Sequence, residues 1–70
     1  MSKKIQYAVR VAAYKTEFWT EVYASSLYRA KTMATEYASL ISPESAIEIY
    51  EPKSHKLYAS KTSSSKWTLH

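Results

Sequence analysis

The chain contains no glycine, no asparagine, no aspartate and no cysteine. Without cysteine there is no disulfide framework, no thiolate zinc site and no nucleophilic thiol. That absence fits a reducing compartment, and a cytoplasmic location is expected. Without glycine there is no phosphate-cradling loop, and without aspartate no EF-hand loop or Asp-based acid chemistry. Two-residue hairpin turns favour glycine or asparagine at φ > 0. The sequence therefore predicts longer or type I turns built from Ser, Thr, Lys and Pro. Long apolar runs are missing too. None exceeds four residues, and the run Val11–Tyr14 is cut off from the preceding one by Arg10, so no membrane span is expected. No apolar stretch follows "MSKK" in the manner of a secretory signal.

What is present describes one small folded domain. Seventy residues, 46% hydrophobic and 23% charged, suit a single globular unit. A chain this short buries only roughly 60% of the surface its unfolded form exposes, so each apolar face matters. The net charge of +4 is unevenly laid out. Lys3, Lys4, Arg10 and Lys15 precede the first acid. All six glutamates then fall between residues 17 and 51, and Lys53, Lys56, Lys61 and Lys66 close the chain. Basic ends flank an acidic middle.

Periodicity assigns the elements. "KIQYAVRVAAYK" alternates, with Ile5, Tyr7, Val9, Val11 and Ala13 on one side and Gln6, Ala8, Arg10, Ala12 and Tyr14 on the other, which predicts a long strand. "WTEVYA" predicts a second strand, joined through the region of Thr16 and Glu17. The period then changes. Leu27, Ala30, Ala34, Tyr37, Ala38 and Ile41 form the apolar stripe of a helix, capped by Ser25 or Ser26 and ended by Pro43. "AIEIYE" predicts a third strand with Ile47 and Ile49 inward. "KLYAS" predicts a fourth with Leu57 and Ala59 inward. Residues 1–61 are read as one domain, and 62–70 as a flexible Ser-rich tail in which Trp67 and Leu69 are the residues able to tie down the end.

The order ββαββ gives an α+β fold. With a right-handed crossover, strand 3 lies beside strand 1, and a four-stranded antiparallel sheet of order 2-1-3-4 carries the helix on one face. The strand–cap–helix spacing over 7–51 resembles that of many short bacterial and phage proteins, and it assigns no functional residue.

The other face is the expected functional surface. Arg10, Tyr14, Tyr23, Tyr50 and Tyr58 are placed on it, together with Trp19 where the turn sets Trp19 rather than Phe18 outward, since a one-residue slip exchanges the two. In that register Glu21, Arg10, Glu48 and Lys56 form a row of alternating charge. Tyr, Trp and Arg are the residues that anchor protein interfaces. The bland alternative is that cross-strand rings and opposite charges only hold a small sheet together, at roughly 0.2–1 kcal/mol per pair. The same rings could stack on bases, but glutamates among them would repel phosphates. Lys53, Lys56, Lys61, Lys66 and Trp67 offer a separate basic route to nucleic acid, although lysines near a sheet edge also discourage unwanted pairing.

Catalysis has little to stand on. His55 lies in a turn and His70 is the last residue. The serines, Ser63–Ser65 included, have no recognisable activating base in sequence, and Glu44, Glu48 and Glu51 have no deep cleft to desolvate them. No enzyme activity, metal or cofactor is expected. The sequence points to a small non-catalytic binding module, an adaptor or inhibitor, whose partner is another protein or a second copy meeting it through the open face. Nucleic-acid binding through the basic ends is the alternative.

Overall fold

The computed structural model describes residues 3–62 and 65–70; Ser63 and Ser64 of the expected tail lie outside them. Alternation in the first residues becomes β1 (Ile5–Ala13), whose odd positions are buried from Tyr7 to Ala13. Ile5 shares that side but, at the first position of the strand, is half exposed. β2 (Thr16–Ala24) pairs with β1 along all nine residues, from Ile5–Ala24 to Ala13–Thr16.

The turn between them corrects the expectation of a longer or type I loop. Only Tyr14 and Lys15 connect the strands, both with positive φ, 53° and 62°. Non-glycine residues in this region cost roughly 1–2 kcal/mol each. The ladder overrides that cost, because a one-residue slip of β2 would turn Glu17, Trp19, Glu21 and Tyr23 towards the core and bury two carboxylates. Closing on the Ala13–Thr16 pair also makes β2 longer at its start than "WTEVYA" suggests. Tyr14 accordingly sits at the hairpin tip, 75% exposed, and not on the sheet face where the alternation placed it.

α1 (Leu27–Ile41) begins at Ser26, whose hydroxyl accepts the Arg29 amide at 3.3 Å. Ala30, Ala34 and Ala38 are its buried residues, and their small side chains let the helix lie close against the sheet. At the other end the Ser42 amide donates to the Ala38 carbonyl at 2.8 Å. Pro43 holds Ser42 extended and stops the helix. Ser42 and Ser45 are buried here, and the Ser45 hydroxyl donates to the Ser42 carbonyl at 3.0 Å. Among the described residues no helix is long and apolar enough to cross a membrane.

β3 (Ala46–Tyr50), β4 (Leu57–Lys61) and β5 (Thr68–Leu69) complete an antiparallel sheet of order β2-β1-β3-β4-β5. The α+β class, the single helix and the 2-1-3-4 order agree with the sequence reading; the strand count does not. The fifth strand pairs Leu69 with Ala59 and Thr68 with Ser60, and the His70 amide donates to the Tyr58 carbonyl at 2.9 Å. Two residues cannot display a period of two, so β5 has no signature of its own in the sequence.

β4 carries a second correction. Ile49 pairs with Ala59, but Tyr50 pairs with Leu57, so Tyr58 is an extra residue in the ladder. The bulge reverses the expected alternation. Tyr58 turns to the core side, where its ring meets Tyr7 edge-on at 5.9 Å between centroids, and Leu57 shares the open face with Tyr50. The core itself is built on Val9, Val11 and Ile49, with the helix alanines above them.

The open sheet face as candidate binding surface

Arg10 stands at the centre of the uncovered face, positioned by the middle of β1. Its neighbours across the ladders are Trp19 on β2 and Glu48 on β3. Its guanidinium donates from Nη1 to Glu48 Oε1 at 2.5 Å, and from Nε and Nη2 to Glu17 Oε1 at 3.0 and 2.6 Å. One cation is thus held between two carboxylates. The hydrogen bonds that Arg10 donates to Glu17 lead the forces that keep its guanidinium protonated beyond its already high range. Reciprocally, Arg10 holds the Glu17 carboxyl below the usual carboxylate range.

The alternating row expected from sequence differs in its members. Glu21 lies opposite Ala8, two pairs along the ladder from Arg10, while Lys56 lies in the β3–β4 connection and not on the face. Glu17, the acid that reaches Arg10, falls in the connection that the sequence predicts between the first two strands. With a two-residue turn it belongs to β2 and points to the same side as Trp19.

Beside this polar centre runs an apolar strip. Ala8 on β1 is flanked by Glu21 and Tyr50, and its single methyl leaves room above it. Trp19 and Tyr50 lean towards each other across β1, with ring centroids 5.7 Å apart and planes tilted by 37°. Leu57 extends the strip beyond Tyr50. Burial, followed by the nearby Glu48 charge, pushes the Tyr50 hydroxyl above its ordinary pKa, so the ring stays neutral at physiological pH. Tyr23, opposite Gln6, stands further along β2. Trp19 and Tyr23 are 51% and 52% exposed, far more than a pair of structural rings requires.

Of the six residues assigned to this face, Arg10, Trp19, Tyr23 and Tyr50 are gathered on it; Tyr14 is at the hairpin tip and Tyr58 is on the core side. The basic set is scattered. Lys53 and Lys56 lie in the β3–β4 connection, whose first residue, Glu51, turns its carboxylate onto the Ser54 amide and is held below its ordinary pKa by that hydrogen bond. Lys61 and Lys66 are at the opposite end of β4, about 17 Å away along five strand residues. Trp67 packs against the core from the helix side, with Lys31 Nζ 5.9 Å from its ring centroid. Together with Tyr28, Thr32, Thr35 and Glu36 these two line a shallow hollow of about 290 Å³. Among the described residues no three of His, Cys, Asp or Glu gather at metal-binding distance.

The chain matches no family model, no curated protein and no solved structure. The site is therefore read from its own chemistry.

Proposed function

We propose that the protein is a small non-catalytic binding module of the cytoplasm, an adaptor or inhibitor, whose open sheet face docks another protein. The observation that supports this reading is the pairing of half-exposed rings with a neutralised charge. Trp19 and Tyr23 present apolar area that the fold does not cover, while the Arg10 cation is already matched by Glu17 and Glu48. Two carboxylates beside the rings oppose a phosphate backbone, which is attracted by unmatched cations. They suit a protein surface that supplies its own hydrogen-bond donors at the rim of an aromatic anchor.

The test is capture of partners from native extract by the wild-type chain and by the double variant Trp19→Ser, Tyr23→Ser, with the fold checked by circular dichroism. The reading expects a protein captured by the wild type, lost with the variant, and retained as salt rises, since an aromatic interface is little screened. Capture of nucleic acid that weakens steeply with salt and is abolished by charge reversal at Lys53, Lys56 and Lys61 would replace it with the alternative.

A further inference from the structure

β2 is the outermost strand on its side of the sheet, nine residues long and without a bulge, a proline or a lysine, and the only charges it sets against unwanted pairing are the carboxylates of Glu17 and Glu21. In a two-residue hairpin the closing pair, here Ala13–Thr16, is hydrogen-bonded. The even residues of β2 thus spend their amides and carbonyls on β1. Those of Glu17, Trp19, Glu21 and Tyr23 point outward, and among the described residues no strand meets them.

We propose that a second copy of this chain covers this edge, with the two β2 strands antiparallel about a two-fold axis at Thr20. The contact is made by the main-chain edge of β2 and does not require the open face to bind another protein, although the side chains that set its register, Trp19 and Tyr23 among them, also border that face. The register follows from charge. Centring on Trp19 sets Glu17 opposite Glu21, and centring on Glu21 sets that carboxylate opposite itself. Like charges directly opposite are destabilising. Centring on Thr20 instead places each glutamate against a ring, Glu17 with Tyr23 and Trp19 with Glu21, and uses the full nine-residue length. On the helix side the same register sets Phe18 against Val22. The outward groups then make about eight main-chain hydrogen bonds, two for each hydrogen-bonded pair.

A second feature of the fold converges on the same axis. The axis is perpendicular to the sheet, so both helices fall on one side of the joined sheet. Met33 lies with Tyr23, Ala24 and Arg29 around one hollow, which identifies the helix flank nearer to β2. Leu40, two turns on, shares that flank and is 86% exposed. At about 3.3 Å per strand residue and 1.5 Å per helix residue, stepping from Met33 to Leu40 along the helix runs from the level of Tyr23 and Ala24 to that of Thr20. Leu40 thus faces its counterpart near the axis, which accounts for a leucine left in the open on a monomer.

The test is sedimentation equilibrium over micromolar to millimolar concentration. The wild type is expected at twice its 8.1 kDa mass. Glu21→Pro removes an outward amide and no β1 hydrogen bond, and Leu40→Lys sets two cations near the axis. Each is expected to weaken the dimer by about tenfold or more, the effect of losing ~1.4 kcal/mol. Trp19→Glu places carboxylates opposite Glu21 and gives a monomer, and adding Glu21→Lys restores the dimer. Because Leu40 is exposed and the last pair is a rescue, the outcome does not depend on the proline variant folding. A wild type that stays at 8.1 kDa throughout overturns the proposal. So does a dimer indifferent to Leu40→Lys and Trp19→Glu, which would place its interface elsewhere.

Discussion

The hairpin tip offers a quantitative handle on the register that decides which side chains face outward. Tyr14 and Lys15 both hold positive φ without being glycine or asparagine. The double change Tyr14→Asn, Lys15→Gly installs the pair that a type I′ turn favours. At Lys15 it relieves roughly 1–2 kcal/mol of left-handed cost, offset by the extra freedom glycine gives the unfolded chain, about 0.5–1 kcal/mol. Asparagine tolerates the same region and adds a fraction more. Little is lost in contacts, because Tyr14 is 75% exposed and Lys15 is exposed as well. The Thr16 hydroxyl donates to the Tyr14 carbonyl, a main-chain group that survives the change. The net gain is about 1 kcal/mol, which for a domain of this size raises Tm by about 4–8 °C. Calorimetry reads the shift. A urea titration should show a higher midpoint at unchanged slope, the sign that stability and not the unfolded ensemble's extent has changed. An unchanged or lowered Tm refutes the reasoning, since it would mean that the strands are not joined by a strained two-residue turn.

Three further outcomes follow from the packing and the charges. Tyr58→Ala should cost about 2 kcal/mol, since it removes a partly buried ring from Tyr7, whereas Leu57→Ala should cost under about 1 kcal/mol; urea midpoints in the reverse order would restore the alternation that the bulge breaks. Ala34→Leu forces a larger side chain between helix and sheet and should destabilise by about 1–3 kcal/mol; a neutral result would mean that the helix stands further off. Glu17 and Glu51 titrate below their unfolded value near 4.5, so their contribution is complete above that pH and is lost as pH falls through the folded values. Tyr50 is shifted upward from 10.0, and its contribution is lost as pH rises through the folded value. The urea midpoint should be level between these limits and decline on both sides. Arg10→Met should make the acid decline shallower by removing the share of Glu17, and an unaltered acid limb would contradict the Arg10–Glu17 pairing.

Much of this architecture was legible because single residues announce it. Arg10 sits between Val9 and Val11 and can only point away from them on a strand, and the alanines at 30, 34 and 38 mark the buried line of the helix. Pro43 ends that helix as read. The misreadings share one cause, local rules overridden by the ladder. Tyr14 and Lys15 are poor residues for their turn, yet the nine pairs behind them fix the turn's length. Tyr58 looked outward by alternation until one extra residue in β4 turned it inward. On the face itself, Arg10, Tyr23 and Tyr50 were readable from parity, whereas the side taken by Trp19 rather than Phe18 depended on the turn and is fixed by the Arg10–Trp19 pair. Glu17 was not readable, because its membership of β2 depends on a turn length that the composition argued against.

The most direct test of the binding surface is a chemical-shift map of the labelled protein with its captured partner. The account predicts perturbations centred on Arg10, Trp19, Tyr23 and Tyr50, with the outer helix positions Tyr28 and Thr32 unmoved. Shifts confined to that helix side, or to Lys53 and Lys56, with the open face silent, would contradict it.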